Sequence, residues 1–119
     1  MSIQFTDQVK MHDAITATAT SQAFDVSKRQ LVSIQFICNG YHSGSGVFTI
    51  DASDDGVNWV TGIAFLDSKA TATGTSVVSK TITSTSSELA IVPPVYAYVR
   101  VVATITGTDS YSVVLESKG

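Results

Sequence analysis

The run Asp51-Ala-Ser-Asp-Asp-Gly56 puts three carboxylates into six residues. It matches the opening of a calcium loop, whose spaced oxygen side chains surround a hard cation that takes about six to eight oxygen ligands. Such a loop closes with a bidentate Glu at its twelfth position, and here that position is Gly62. The same residues therefore read as a hairpin turn, with Asp55-Gly56 supplying the positive φ that a tight turn needs. His12 and His42 have the chemistry of a general base or a metal ligand. His42 lies in the Gly- and Ser-rich stretch 41–46, and His12 stands beside Asp13. The string His42-Ser-Gly-Ser-Gly46 lacks the glycine two residues before either serine that a nucleophile elbow requires. Cys38 is the only cysteine, which excludes an intrachain disulfide and a multi-cysteine zinc site. It alternates in phase with apolar neighbours and reads as a small buried residue. No catalytic, cofactor-binding or metal-ligating residue is assigned, and the chain reads as non-enzymatic.

A second kind of chemistry is stacking. Tyr96, Tyr98 and Arg100 alternate along one extended run, which places all three on one face of a strand. Such a stripe can stack on a sugar ring or anchor a protein interface. The plainer reading is that a neighbouring loop half covers the tyrosines and leaves their hydroxyls in water.

The elements that hold these groups are strands. Val, Ile and Thr supply 39 of 119 residues, against 4 Leu and 2 Glu. β-branched side chains suit a pleated sheet, and the usual helix builders are scarce. Gln30–Cys38 aligns Val32, Ile34, Phe36 and Cys38, and Gly46–Ala52 aligns Phe48, Ile50 and Ala52. The turn at Ser53–Gly56 leads into a return strand over 57–65, with Trp59 buried. Residues 68–75 read as a long polar connection, Thr75–Thr83 as a weak strand, and Leu89–Val92 as a short strand stopped by Pro93-Pro94. Val95–Ile105 is the longest run: its odd positions Val95 to Ile105 face the core and its even positions, Tyr96 to Thr104, face outwards. Tyr111, Val113 and Leu115 point inwards from the last strand. Ala14–Thr20 and Phe24–Val26 read as short strands near an edge. Turn signals recur at a spacing that predicts about eight strands in one antiparallel β-sandwich, of jelly-roll or immunoglobulin-like type. Residues 1–119 form a single domain in this reading. Residues 1–13 fit no strand pattern and carry Ile3, Phe5, Val9 and Met11; they are expected to form an arm that becomes ordered on a neighbouring subunit or other partner and buries those four side chains.

Charge and length bound the partners. Seven cations against ten carboxylates give a net charge of −3, which argues against nucleic acid. No apolar run reaches the roughly 18 residues of a membrane span, and the first residues lack the pattern of a secretory signal. The expected place of synthesis is a cytosol.

Two strings together carry a resemblance. Phe48–Trp59, with Ser53, Asp55, Gly56 and Trp59, is similar to the S-x-D-G-x-x-W hairpin of discoidin-like carbohydrate-binding β-sandwiches, and Val95–Val101 to the Y-V-R-V strand that follows it. The chain is shorter than such a domain and lacks its terminal disulfide pair. Small virion proteins of tailed bacteriophages carry a similar pairing. That resemblance implies a non-enzymatic capsid decoration or cement protein, binding the major capsid protein as a homo-oligomer, often a trimer, and located in the virion. The arm is then expected to order on a neighbouring subunit or on the capsid. Head-completion, tail and fibre-associated proteins are the near variants, and a carbohydrate-binding module is the alternative from another class. The residues expected to form interfaces are Ile3, Phe5, Val9, Met11, Tyr96, Tyr98 and Arg100, while Ser53, Asp55, Gly56 and Trp59 belong to the scaffold. No cofactor, nucleic acid or membrane partner is expected.

Overall fold

The structure, a computed structural model, describes residues 6–67 and 76–119. It is an all-β sandwich of two antiparallel sheets. The first sheet has the order β1 (Thr6–Ile15), β11 (Tyr111–Lys118), β4 (Leu31–Cys38), β9 (Ser87–Val92), β6 (Phe65–Asp67), β7 (Ser76–Val77). The second is built on β10 (Tyr98–Thr106) and β5 (Ser45–Ser53). There β2 (Ala19–Thr20) and β3 (Phe24–Asp25) pair with β10, and β8 (Lys80–Ile82) pairs with β5.

Alternation decides which side of each strand is dry. Val32, Ile34, Phe36 and Cys38 on β4 meet Phe48, Ile50 and Ala52 on β5 and Val99, Val101 and Ala103 on β10, all buried. Stacked rings join the sheets: Phe36 and Phe48 lie 4.9 Å apart between centroids, and Tyr111 meets Phe48 edge-on at 5.7 Å. His12 adds a polar link, with Nε2 donating to the Val101 carbonyl at 3.0 Å across the core.

Eleven strands replace the expected eight among the described residues. Part of the difference lies in the weak strand expected at Thr75–Thr83, where Ser76–Val77 pairs with β6 in one sheet and Lys80–Ile82 with β5 in the other. The connection expected at 68–75 lies outside the described residues.

The expected N-terminal arm is corrected from residue 6 onward. β1 pairs with β11 from Thr6–Lys118 to Lys10–Val114, continues through two irregularities to Ile15–Tyr111, and so completes the first sheet. Met11 is buried in the core and the half-buried Val9 packs against it, so both side chains serve this chain's own core. A bulge at 10–12 turns Met11 and His12 inwards together. Ile3 and Phe5 lie outside the described residues. Deleting residues 1–13 is therefore expected to abolish cooperative folding, because it strips β11 of a partner and removes Met11 and His12 from the core. A sharp thermal transition retained by the truncated chain, followed by circular dichroism, would contradict this.

The long run of β10 is also shorter than expected. Regular pairing starts at Tyr98, after the Pro93-Pro94 turn. Val95 is 71% exposed rather than inward, and Tyr96 packs against the core rather than facing out. The turn shifts the phase of the side chains ahead of the strand.

Candidate functional site

The most elaborate side-chain cluster lies on the outer side of the second sheet. Arg100 and Asp51 stand opposite one another on β10 and β5. Arg100 Nε donates to Asp51 Oδ2 at 3.0 Å, and the Gly62 amide donates to Asp51 Oδ1 at 3.2 Å. The Asp51 side chain is 2% exposed and that of Arg100 28%. The returning chain covers the pair. Ala52 and Val60 exchange two backbone hydrogen bonds, which sets Trp59 on the outer side. Its ring centroid lies 4.2 Å from the Arg100 guanidinium carbon, a cation–π contact. Trp59 is thus half-buried outside the sheet, not in the core as its sequence context predicts. The return strand expected over 57–65 shrinks to the single bridge at Val60 before the chain crosses to β6.

The turn between them is self-contained. Ser53 Oγ accepts from the amides of Asp55 and Gly56 and donates to Asp55 Oδ1. Asp55 accepts from the amides of Val57 and Asn58, both at 2.8 Å, and from the Asn58 side chain. Gly56 has φ +74°, and the Tyr98 ring lies against it. Asp51 and Asp55 are engaged by separate sets of protein donors, Gly62 and Arg100 for the first and Ser53, Val57 and Asn58 for the second. Among the described residues no group of three His, Cys, Asp or Glu side chains could hold a metal.

At the opposite end of the sandwich Asp109 orders the loop 41–44. It accepts from the amides of His42 and Ser43 at 3.1 Å, and His42 Nδ1 lies 3.3 Å from it. Gly44 allows the approach: its φ is +92°, and a Cβ there would fall 2.0 Å from the Thr106 carbonyl oxygen. The His42 side chain is 87% exposed. The arrangement orients the loop. Sequence reasoning missed Asp109; the signal was an Asp closing a Gly-Thr-Asp turn opposite a glycine-rich loop.

These carboxylates give an acid limit. Amide donors from Asn58 and Val57 hold the Asp55 carboxyl well below the usual carboxylate range, the His42 amide lowers Asp109, and the Ser27 hydroxyl and amide lower Asp25. A folded-state value below the unfolded one contributes stability that is present above the unfolded value and is lost as pH falls. The melting temperature should therefore hold from neutral pH down to about 5 and drop below about 4. Asp55→Asn should flatten that drop; an acid limb as steep as in the parent would refute the assignment.

No family model matches the chain, and no curated protein sequence does. Solved structures do. The SPBc2 prophage-derived protein YomS superposes with a TM-score of 0.80 at 13% identity, covering 100% of this chain and 97% of that one. The PBSX exported protein XepA gives 0.78 at 11% identity over 100% of this chain and 39% of that one. The chain has the fold of YomS. It spans about two fifths of XepA, which is the longer protein. At such identities the likeness is one of fold, so YomS and XepA say nothing residue by residue about the Asp51–Arg100–Trp59 cluster. Of the residues singled out in the sequence, the structure brings Ser53, Asp55, Gly56, Trp59, Tyr98 and Arg100 together around one turn. Val9, Met11 and Tyr96 belong instead to the core or its edge.

Proposed function

We propose that this chain is a non-enzymatic structural protein of a bacteriophage virion, acting through the surface it covers on a neighbour. The observation that carries the reading is the end-to-end fold likeness to a prophage-derived protein. The chemistry of the surface supports it. The outstanding polar and aromatic groups are engaged within the chain: Arg100 with Asp51 and Trp59, Tyr98 with the Gly56 turn, Asp109 with its loop. They build a scaffold, and among the described residues they leave no oriented nucleophile or stacking platform open, which weighs against the enzyme and carbohydrate-binding readings. Within this reading we favour a capsid decoration or cement protein over a head-completion, tail or fibre-associated one. A face poor in charge loses little hydration when covered, and display on a repeating shell multiplies weak contacts.

The test is sedimentation of a phage lysate in a density gradient, with the protein quantified by mass spectrometry in each fraction. The expected result is co-migration with assembled particles at a fixed copy number per particle. Recovery in the soluble fraction alone, together with binding of the isolated protein to a glycan array, would replace this reading by the carbohydrate-binding one.

A further inference from the structure

The outer face of the six-stranded sheet differs from the rest of the surface. Leu31, Leu66, Leu89 and Ile91, four of the eight large apolar residues left exposed among the described residues, come from its strands β4, β6 and β9. Register arranges them in rows. One row crosses the sheet as Leu66, Ile91, Ser33, Glu116 and Gln8. The next runs Leu89, Gln35, Val114 and Lys10. Apolar residues fill one side, neutral Ser33 and Gln35 the middle, and Glu116 and Lys10 the far side.

We propose that this face is the contact between two copies of the chain, related by a two-fold axis lying in the interface and crossing the strands between these two rows. The operation lays each row of one copy on the other row of its partner. Ile91 then meets Leu89 and Leu89 meets Ile91, as a two-fold interface requires. Ser33 faces Gln35, two neutral groups able to hydrogen-bond. Glu116 of one copy lies over Val114 and beside Lys10 of the other, so unlike charges meet twice at the rim, each also paired within its own chain: Lys10 with Asp13 at 3.3 Å and Glu116 with Lys118 at 3.2 Å. The area suffices for a dimer that dissociates on dilution. Strands of 10, 8, 8, 6 and 3 residues (β1, β11, β4, β9 and β6), at about 3.3 Å per residue and about 4.8 Å spacing, offer roughly 550 Å² per copy and about 1,100 Å² in all, just above the roughly 1,000 Å² that a specific interface needs. The edges of this sheet invite no alternative continuation: β1 is bulged and β7 is two residues long. The proposal stands apart from the virion reading, since it concerns the isolated chain.

The experiment is light scattering on the full chain during size-exclusion chromatography, over a dilution series. The expected result is a dimer that dissociates on dilution. Ile91→Thr keeps a strand-forming residue and should raise the dissociation constant roughly ten-fold or more; Ile91→Glu should leave a folded monomer, checked by thermal melting. Lys10→Glu and Glu116→Lys should each weaken the dimer, and the double exchange should restore it. A parent that is monomeric at all concentrations, a trimer, or a dimer indifferent to Ile91→Thr and to the charge exchange would overturn the proposal. So would a monomer whose Ile91→Thr variant is lost from phage particles, because the face would then belong to a virion partner.

Discussion

Val99→Asp should abolish the folded state, whereas Val102→Asp on the same strand should leave it standing. Val99 is fully buried between the sheets, paired with Ala52 on one side and Phe24 on the other. A carboxylate there has no donor and no water, and the penalty exceeds about 4 kcal/mol, most of the stability of a small domain. Val102 points to the outer side, opposite Thr49 and Thr20. Its carboxylate would be hydrated among hydroxyl-bearing neighbours, at a cost of about 1 kcal/mol. Circular dichroism melts separate the two. Equal tolerance of both would mean that β10 does not have the face assigned to it.

The second large effect concerns the ion pair beneath Trp59. Arg100→Ala leaves a carboxylate with 2% exposure facing, among the described residues, only the Gly62 amide, and should cost about 3–5 kcal/mol. Asp51→Ala should cost less, about 2–3 kcal/mol, because Arg100 keeps 28% of its side chain in water and can rehydrate. Replacing both partners, as Asp51→Asn with Arg100→Met, should recover much of the loss, since no unpaired charge then remains. Denaturant titrations of the three variants give the order. If the double variant were as unstable as the sum of its parts, the pair would not act as a unit.

The contrast between β10 and β1 shows where a sequence speaks. In β10 the apolar residues Val99, Val101 and Ala103 keep period two, and they are the ones buried. β1 is longer, yet its bulge brings Met11 and His12 inwards side by side, and Ala14 takes φ +49°. Each irregularity shifts the phase, so the strand is invisible to a period-two search. Trp59 failed for another reason. A large aromatic after an Asp-Gly turn is sized for a core, but the bridge from Val60 to Ala52 turns it to the outer side, where the group it stacks on, Arg100, lies 41 residues further along the chain. Ser53, Asp55 and Gly56 were legible because their bonds are local, within five residues of Ser53. Arg100 with Asp51 was half legible: the arginine stood out in its strand, but its acid lies 49 residues away.

The pairing of Thr6 with Lys118 reaches beyond the finished architecture to the order of its making. β1 leaves a ribosome about a hundred residues ahead of its partner β11. Throughout that interval Val9 and Met11 have no sheet to join, while β4 waits for its neighbour on one side. Bringing strands together across more than a hundred residues costs loop-closure entropy before any contact rewards it, so contact order is high and folding belongs to the millisecond-to-second class of β-sandwiches. The interval leaves apolar strands unpaired in a crowded cell. Once β11 arrives, the register shifts of β1 leave the finished edge an irregular template for a further strand.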